Sequence, residues 1–338
     1  MPTKEDLKYF QAMPLDIKVA MTRTRIREWV NYFGESGVYV SFSGGKDSTV
    51  LLHLVRELYP DVPAVFVNTG LEFPEIQKFV KSFDNVKIIY PKMSFNQVIQ
   101  KYGYPILSKD LSKKIDSARR GQEWALKFLE GRAVIDDRPS DYNIEKYLPL
   151  VSADFLISHK CCDVMKKRPA HEYEKETDRK PILATMTEES KLRHEAWLKA
   201  GCNSFLTGRE ISKPMSFWTT QDVLKYIKEN NIPIAEPYGD IIPIGGQLSF
   251  DGIECKLCTT KQERTGCVYC AFGAHLERES RFKRLKETHP KLYNYCIGGG
   301  KYDIDGLWKP DNRGLGMGHV FDELNKLYSK GGKPFIDY

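Results

Sequence analysis

No uninterrupted apolar run in this chain approaches the roughly 20 residues that a membrane-spanning helix needs, so no membrane protein is expected. The opening residues, Met1-Pro2-Thr3-Lys4-Glu5-Asp6, lack the apolar stretch of a signal peptide. No internal repeat or low-complexity tract is present, which removes solenoids and disordered scaffolds. Charge of one sign is also scarce. The 51 Lys and Arg against 45 Asp and Glu leave +6, which suits phosphate-bearing ligands without requiring a nucleic-acid polymer. A cytoplasmic protein is expected. In such a reducing compartment, eight cysteines point to metal ligands or redox groups before disulfides.

With 338 residues, 41% of them hydrophobic, the chain has enough material for one substantial core and a smaller module. Ile17, Ala20, Met21, Ile26, Trp29, Val30 and Phe33 recur near helical spacing and predict an N-terminal helical segment over 1–36. Gly37 to Phe42 predicts a strand, followed by a Gly-Gly turn and a helix from Asp47 to Leu58. Ala64–Val67 and Val86–Tyr90 read as strands on either side of a helix begun by Pro74. Pro181–Thr185 and Ser204–Thr207 read as further strands, and Thr219 caps a helix that runs to Asn230. This alternation predicts a Rossmann-like, doubly wound parallel sheet over 37–240. The charged, aperiodic stretch 109–149 is expected to be a mobile helical insertion rather than sheet. From 241 to 338 the composition shifts to cysteine, glycine and basic residues, predicting a small cysteine-rich module.

Ser43-Gly44-Gly45-Lys46-Asp47-Ser48 falls where a strand ends and a helix begins, so successive N–H groups and the helix dipole converge on one anion. Gly44 and Gly45 allow close approach of the main chain, Lys46 adds charge, and Ser43 and Ser48 add hydroxyls. Asp47 is suited to holding Mg²⁺ or capping the helix. A Walker A loop is excluded, because Val40 stands where its first glycine belongs and Asp47 follows the lysine.

These residues carry a resemblance. Ser43–Ser48 is similar to the SGGxDS signature of the PP-loop ATP pyrophosphatases. Asn68-Thr69-Gly70-Leu71-Glu72-Phe73-Pro74-Glu75 resembles the DTGxxFPET segment of the phosphoadenosine phosphosulfate (PAPS) reductase and ATP sulfurylase superfamily. Glu189-Ser190-Lys191-Leu192-Arg193 and the stretch Lys213 to Val223 resemble two later family motifs, and the likeness extends over about 37–275. The resemblance implies an adenine nucleotide α-hydrolase-like fold that binds ATP, or PAPS/APS, with Mg²⁺. Lys46, Asp47 and Ser48 would be catalytic. Ser41, Ser43, Gly44, Gly45, Asn68, Thr69, Gly70, Glu72, Arg193 and Arg209 would contact the nucleotide. Family members with the intact loop usually join AMP to an acceptor with loss of pyrophosphate, so this reaction is expected, in sulfur transfer or thio-modification. Thr185-Met186-Thr187 lacks the arginine that often follows the family's Thr-Gly, which leaves Arg193 and Arg209 to take over its contact.

Cys255-x-x-Cys258 and Cys267-x-x-Cys270 are two chelating pairs that suit Zn²⁺ or an iron–sulfur cluster equally. Family precedent adds a second assignment, in which the tandem Cys161-Cys162 joins Cys267 and Cys270 around a [4Fe-4S] cluster. Sulfonucleotide reductases also use a C-terminal cysteine, and Gly331 to Tyr338 has none; Cys296, the last thiol, either replaces it as nucleophile or ligand in the reductase alternative or is a buried packing residue. Basic clusters at Lys109, Lys113, Lys114, Arg119, Arg120 and at Arg278 to Lys286 keep a third alternative open: a nucleotide-sensing or tRNA- or DNA-binding component with a structural metal. A sulfur donor or acceptor and a second copy of the chain are further expected partners. His53 and Cys202 read as packing residues, and His275 as a weak extra ligand.

Overall fold

The computed structural model describes residues 2–205, 208–244 and 255–338. By spatial contact the chain divides into two compact units that interleave along the sequence. The first comprises Met1–Asn68, Glu72–Tyr90 and Pro169–Gly266, the second Thr69–Leu71, Pro91–Arg168 and Cys267–Tyr338. The composition shift near residue 240 therefore marks a change of residue content inside the first unit.

The first unit opens with two helices, α1 (Lys4–Ala12) and α2 (Leu15–Phe33). It continues as β1 (Val38–Ser41), α3 (Lys46–Leu58), β2 (Ala64–Val67), α4 (Pro74–Lys81) and β3 (Val86–Ile89). After the second unit's segment come β4 (Lys180–Ile182), α5 (Lys191–Ala200), β5 (Asn203–Ser204), β6 (Ile211–Ser212) and α6 (Thr220–Glu229). The sheet order is β3-β2-β1-β4-β6-β5, parallel throughout except for the antiparallel edge strand β5. Val38, Tyr39 and Val40 of β1 and Ala64, Val65 and Phe66 of β2 are all buried, the unbroken apolar run of strands covered on both faces.

From β1 the chain builds outward to β2 and β3 on one side, then returns to place β4 on the other. This reversal defines a doubly wound α/β fold and leaves a crevice beyond the carboxyl ends of β1 and β4. The expected strand Pro181–Thr185 is realised as Lys180–Ile182. Of the expected strand Ser204–Thr207, Ser204 is in a strand and Phe205 is not, and Leu206 and Thr207 lie outside the described residues.

The stretch that resembled the later family motif has a structural job. Trp218 is fully buried and its indole N–H donates to Thr22 Oγ1 of α2 at 2.8 Å. Thr219 and Asp222 form a capping box at the start of α6, and Asp222 also meets the buried ammonium of Lys18 at 2.7 Å. One carboxylate thus caps α6 and neutralises a lysine of α2.

The second unit is mainly helical, with helices Phe95–Tyr102, Lys109–Arg119, Glu123–Leu129, Arg281–Thr288, Pro290–Ile297 and Met317–Tyr328. Its short strand Ile106–Leu107 pairs in parallel with Ala271–Phe272. The insertion at 109–149 holds two of these helices, as expected, and also a small hairpin of Val134–Ile135 with Arg138–Pro139 that the aperiodic sequence did not announce. Among the described residues no helix is long and apolar enough to cross a membrane.

Candidate functional site: an anion-binding loop at the sheet reversal

The segment Ser43–Ser48 occupies the crevice end of β1, and its geometry explains both glycines. Gly44 has φ +71°, and a Cβ there would lie 2.8 Å from the Cγ2 methyls of Ile76 and Val80 of α4. No side chain fits. Gly45 is the residue before α3 and offers no side-chain cap, so the N–H groups of the first helical turn are left to other partners. A Cβ on Gly45 would stand 3.2 Å from both Ser43 Oγ and the Tyr238 hydroxyl.

The two serines brace the turn. The Ser43 N–H donates to Ser48 Oγ at 3.2 Å, the two hydroxyls lie 3.0 Å apart, and Ser48 Oγ donates to the Gly45 carbonyl at 2.9 Å. Lys46 is buried; its ammonium donates to the Glu263 carbonyl at 3.2 Å and lies 3.4 Å from Asp47 Oδ1. That Asp47 oxygen is buried and accepts no hydrogen bond. A buried carboxylate oxygen that accepts no hydrogen bond, held 3.4 Å from the Lys46 ammonium, is a donor of the kind that suits a hard cation.

Residues not nominated from the sequence complete the loop's surroundings. The Tyr238 hydroxyl accepts the Lys46 N–H at 3.1 Å and contacts Thr265 Oγ1 at 2.7 Å. Burial pushes the Tyr238 phenol upward, so it remains a neutral partner for that N–H. Nearly 200 residues separate Tyr238 from Lys46, and no local pattern marks the pair.

Arg193, at the start of α5, pairs with Glu189, whose other oxygen lies 3.6 Å from Arg264 Nη1. Burial holds the Arg193 guanidinium below its usual value; the charge of Arg264 adds to this and that of Asp47 opposes it. Arg193 thus lies within electrostatic reach of the loop, with Arg264 as an unforeseen companion. Arg209 is differently employed. It grips Glu174 through Nη2 at 2.6 Å and Nε at 3.3 Å, and Glu174 also accepts the Tyr39 hydroxyl at 2.7 Å. Lys213 is pushed below the ordinary lysine value by burial, then by the charges of Arg193 and Arg209.

Asn68 follows β2 in the first unit and its amide donates to Gln77 Oε1 at 3.4 Å. The buried Glu72 belongs to the same unit, whereas Thr69 and Gly70 group with the second. Ser41 closes β1, half-buried.

The cysteines also divide. Cys255 and Cys258 lie in the first unit, Cys258 opposite Ile242 in a two-stranded ladder. Cys161, Cys162, Cys267 and Cys270 all lie in the second. The Cys161 thiol is pushed up by its hydrogen bond to Cys162 and by burial, with smaller contributions from Cys162, Cys267 and Cys270. Cys162 is pulled down by Cys161 and, against its own burial, by Lys109 and Lys166. The four sulfurs therefore share one electrostatic neighbourhood. Among the described residues no group of three or more His, Cys, Asp or Glu is arranged to hold a metal. Cys296 is fully buried against Met317 Sδ at 3.5 Å, and burial raises its thiol far above the ordinary value, so it is a packing residue as it stands.

The protein has a doubly wound parallel sheet with a glycine loop at its reversal point, an architecture in which α/β proteins commonly bind anions at a strand-to-helix turn. Residues 37–114 match the phosphoadenosine phosphosulfate reductase domain. The chain is 26% identical to a phosphoadenosine 5′-phosphosulfate reductase of Buchnera aphidicola over 73% of its own length and 77% of that protein's. It is 26% identical to an adenosine 5′-phosphosulfate reductase of Staphylococcus haemolyticus over 62% and 68%. An uncharacterized protein of Methanocaldococcus jannaschii is 23% identical over 80% of this chain, which spans 51% of that longer protein. The chain is thus similar to sulfonucleotide reductases over much of its length, and its match to their family domain covers residues 37–114.

Proposed function

We propose that the chain is a PP-loop enzyme that binds ATP through Ser43–Ser48 and transfers its adenylyl group. A nucleophile on the acceptor bonds to the α-phosphorus, the α–β bridge breaks, and pyrophosphate leaves. The observation that carries this reading is the intact loop at the sheet reversal, with a Gly44 that tolerates no side chain and a following helix whose start has no side-chain cap. Phosphate oxygens would accept from main-chain N–H groups of the loop and the first turn of α3, replacing the internal acceptors Ser43 Oγ, Ser48 Oγ and Tyr238 Oη, and Lys46 and Arg193 would balance their charge. Asp47 would hold Mg²⁺, which when bound supplies charge neutralisation for the departing pyrophosphate. Asn68, Thr69, Gly70 and Glu72 complete the proposed nucleotide set, with Arg264 in the place the sequence assigned to Arg209.

Cys161, Cys162, Cys267 and Cys270 would hold the cluster or zinc, because they fall in one unit and sense one another electrostatically. Such a group, when bound, would supply sulfur-handling chemistry or fix the segments that ligate it. Cys255 and Cys258 would serve only in the alternative set with Cys267 and Cys270, which draws on both units. Incubation of anaerobically prepared protein with α-labelled ATP and candidate sulfur-containing acceptors tests the reaction. Label in AMP or acceptor, matched by pyrophosphate, is expected; release of γ-phosphate alone contradicts it.

The second reading is a sulfonucleotide reductase acting on PAPS or APS, favoured by the names of the relatives and by the four grouped cysteines. It expects thioredoxin-dependent sulfite release. Cys296, offered by the sequence either as a nucleophile or as a packing residue, is buried, which favours packing.

A further inference from the structure

Charge is unevenly shared between the units. By sequence the second holds 27 Lys and Arg against 19 Asp and Glu, a net +8, and the first 24 against 26, a net −2. Part of that excess converges on one cavity. A hairpin pairs Lys301–Tyr302 antiparallel with Trp308–Lys309, and its register sets Lys301 directly opposite Lys309. Like charges facing one another across a ladder destabilise it, and an anion between them relieves the repulsion. Lys101, on the helix Phe95–Tyr102, lines a cavity of about 350 Å³ together with both hairpin lysines, Gln97 and Asp303.

Among the described residues Asp303 is the one carboxylate of this lining, and it is committed within the hairpin. Its Oδ2 meets the Lys309 ammonium at 2.6 Å, and its Oδ1 accepts the N–H groups of Asp305 and Leu307 at 3.0 and 2.9 Å. Lys101 and Lys301 form no ion pair with a carboxylate among the described residues. The Ser94 N–H donates to Gln97 Oε1 at 2.8 Å, which leaves the Gln97 NH₂ group as a further donor. The walls are tied together: Gln100 Nε2 donates to the Pro310 carbonyl at 3.1 Å, and Asn96 Nδ2 to the Asp311 carbonyl at 2.8 Å. The helix and the hairpin therefore hold the lysines around a preformed space.

We propose that Lys101, Lys301, Lys309 and Gln97 bind a small tetrahedral oxyanion of the phosphate or sulfate kind. Lysine ammonium groups are compact point charges that suit such an anion, whereas a planar carboxylate matches the fork of an arginine. Asp303 offsets one of the three cations, so two positive charges remain for a dianion. Pro310 is the one apolar residue in the described lining, which gives a nucleotide base or an apolar group no wall to rest on. All of these residues lie in the second unit, and the inference does not rest on the loop's role.

Calorimetric titration of the full chain with inorganic phosphate, pyrophosphate and sulfate, at an ionic strength fixed with potassium chloride, tests it. Saturable binding of at least one is expected, and the tightest of the three names the source. Lys101→Gln and Lys301→Gln should each weaken that binding about tenfold. Substitution of the exposed Lys291 outside the cavity, Lys291→Gln, and the loop variant Gly44→Ala should leave it within about twofold. Circular dichroism shows that the variants are folded. Retained binding in Gly44→Ala, whatever its ATP affinity, keeps failure here distinct from failure of the loop. No saturable binding of any of the three, indifference to both cavity substitutions, an equal loss in Lys291→Gln, or loss in Gly44→Ala alone would overturn the inference.

Discussion

The first unit is nearly balanced in charge and concentrates its features at one strand-to-helix turn; the second is basic and assembles its features from segments distant in sequence. In the first, a continuous parallel sheet places the loop, and the residues that brace it are a glycine pair, two serines and a tyrosine hydroxyl. In the second, small strand pairs and many helices bring the tandem Cys161-Cys162 into the electrostatic neighbourhood of Cys267 and Cys270. The contrast teaches that a strand-to-helix glycine loop can be encoded by consecutive residues, whereas cysteines far apart in sequence need tertiary structure to be grouped.

The sharpest way to break this comparison is metal content. In protein purified without oxygen, Cys161→Ser or Cys267→Ser should lose most of its bound iron or zinc, and Cys255→Ser should retain it. Retention in Cys161→Ser with loss in Cys255→Ser would assign the metal to the other set, which shares Cys267. Next in size is Gly44→Ala, which should weaken ATP binding on the order of 100-fold, about 2.7 kcal/mol, because the new methyl collides with Ile76 and Val80. Equilibrium dialysis below the variant's melting temperature reads this directly, with circular dichroism showing that the variant is folded.

Ser48→Ala removes the hydroxyl shared by Ser43 and the Gly45 carbonyl, and a roughly tenfold loss of ATP affinity is expected. Smallest is Arg209→Gln. It should leave ATP affinity unchanged and cost at most about 1 kcal/mol of stability in a denaturant titration, because its partner is Glu174. A large loss of affinity there would restore Arg209 to the nucleotide site.

Elements built from short-range patterns were legible in the sequence: α2, β1 to β3 and α6 begin and end within a few residues of their expected positions. Apolar runs, Pro74 at a helix start and the Thr219–Asp222 cap are local signals. The loop was legible for the same reason. Tyr238, Thr265 and Arg264 were not, because their link to the loop is made by packing across most of the chain. Arg209 was nominated for the nucleotide, and the partner that holds it in the structure, Glu174, 35 residues away, could not be read from its neighbours. Composition likewise saw a cysteine-rich C-terminal stretch where spatial contact divides Cys255 and Cys258 from Cys267 and Cys270.

A calorimetric titration of the protein with ATP and, separately, with adenosine tests the central claim most directly. If the loop's main-chain amides grip a phosphate chain, ATP should bind saturably and adenosine at least about 100-fold more weakly, a gap of about 2.7 kcal/mol. Equal affinity for the two, or no saturable heat with ATP, would contradict it.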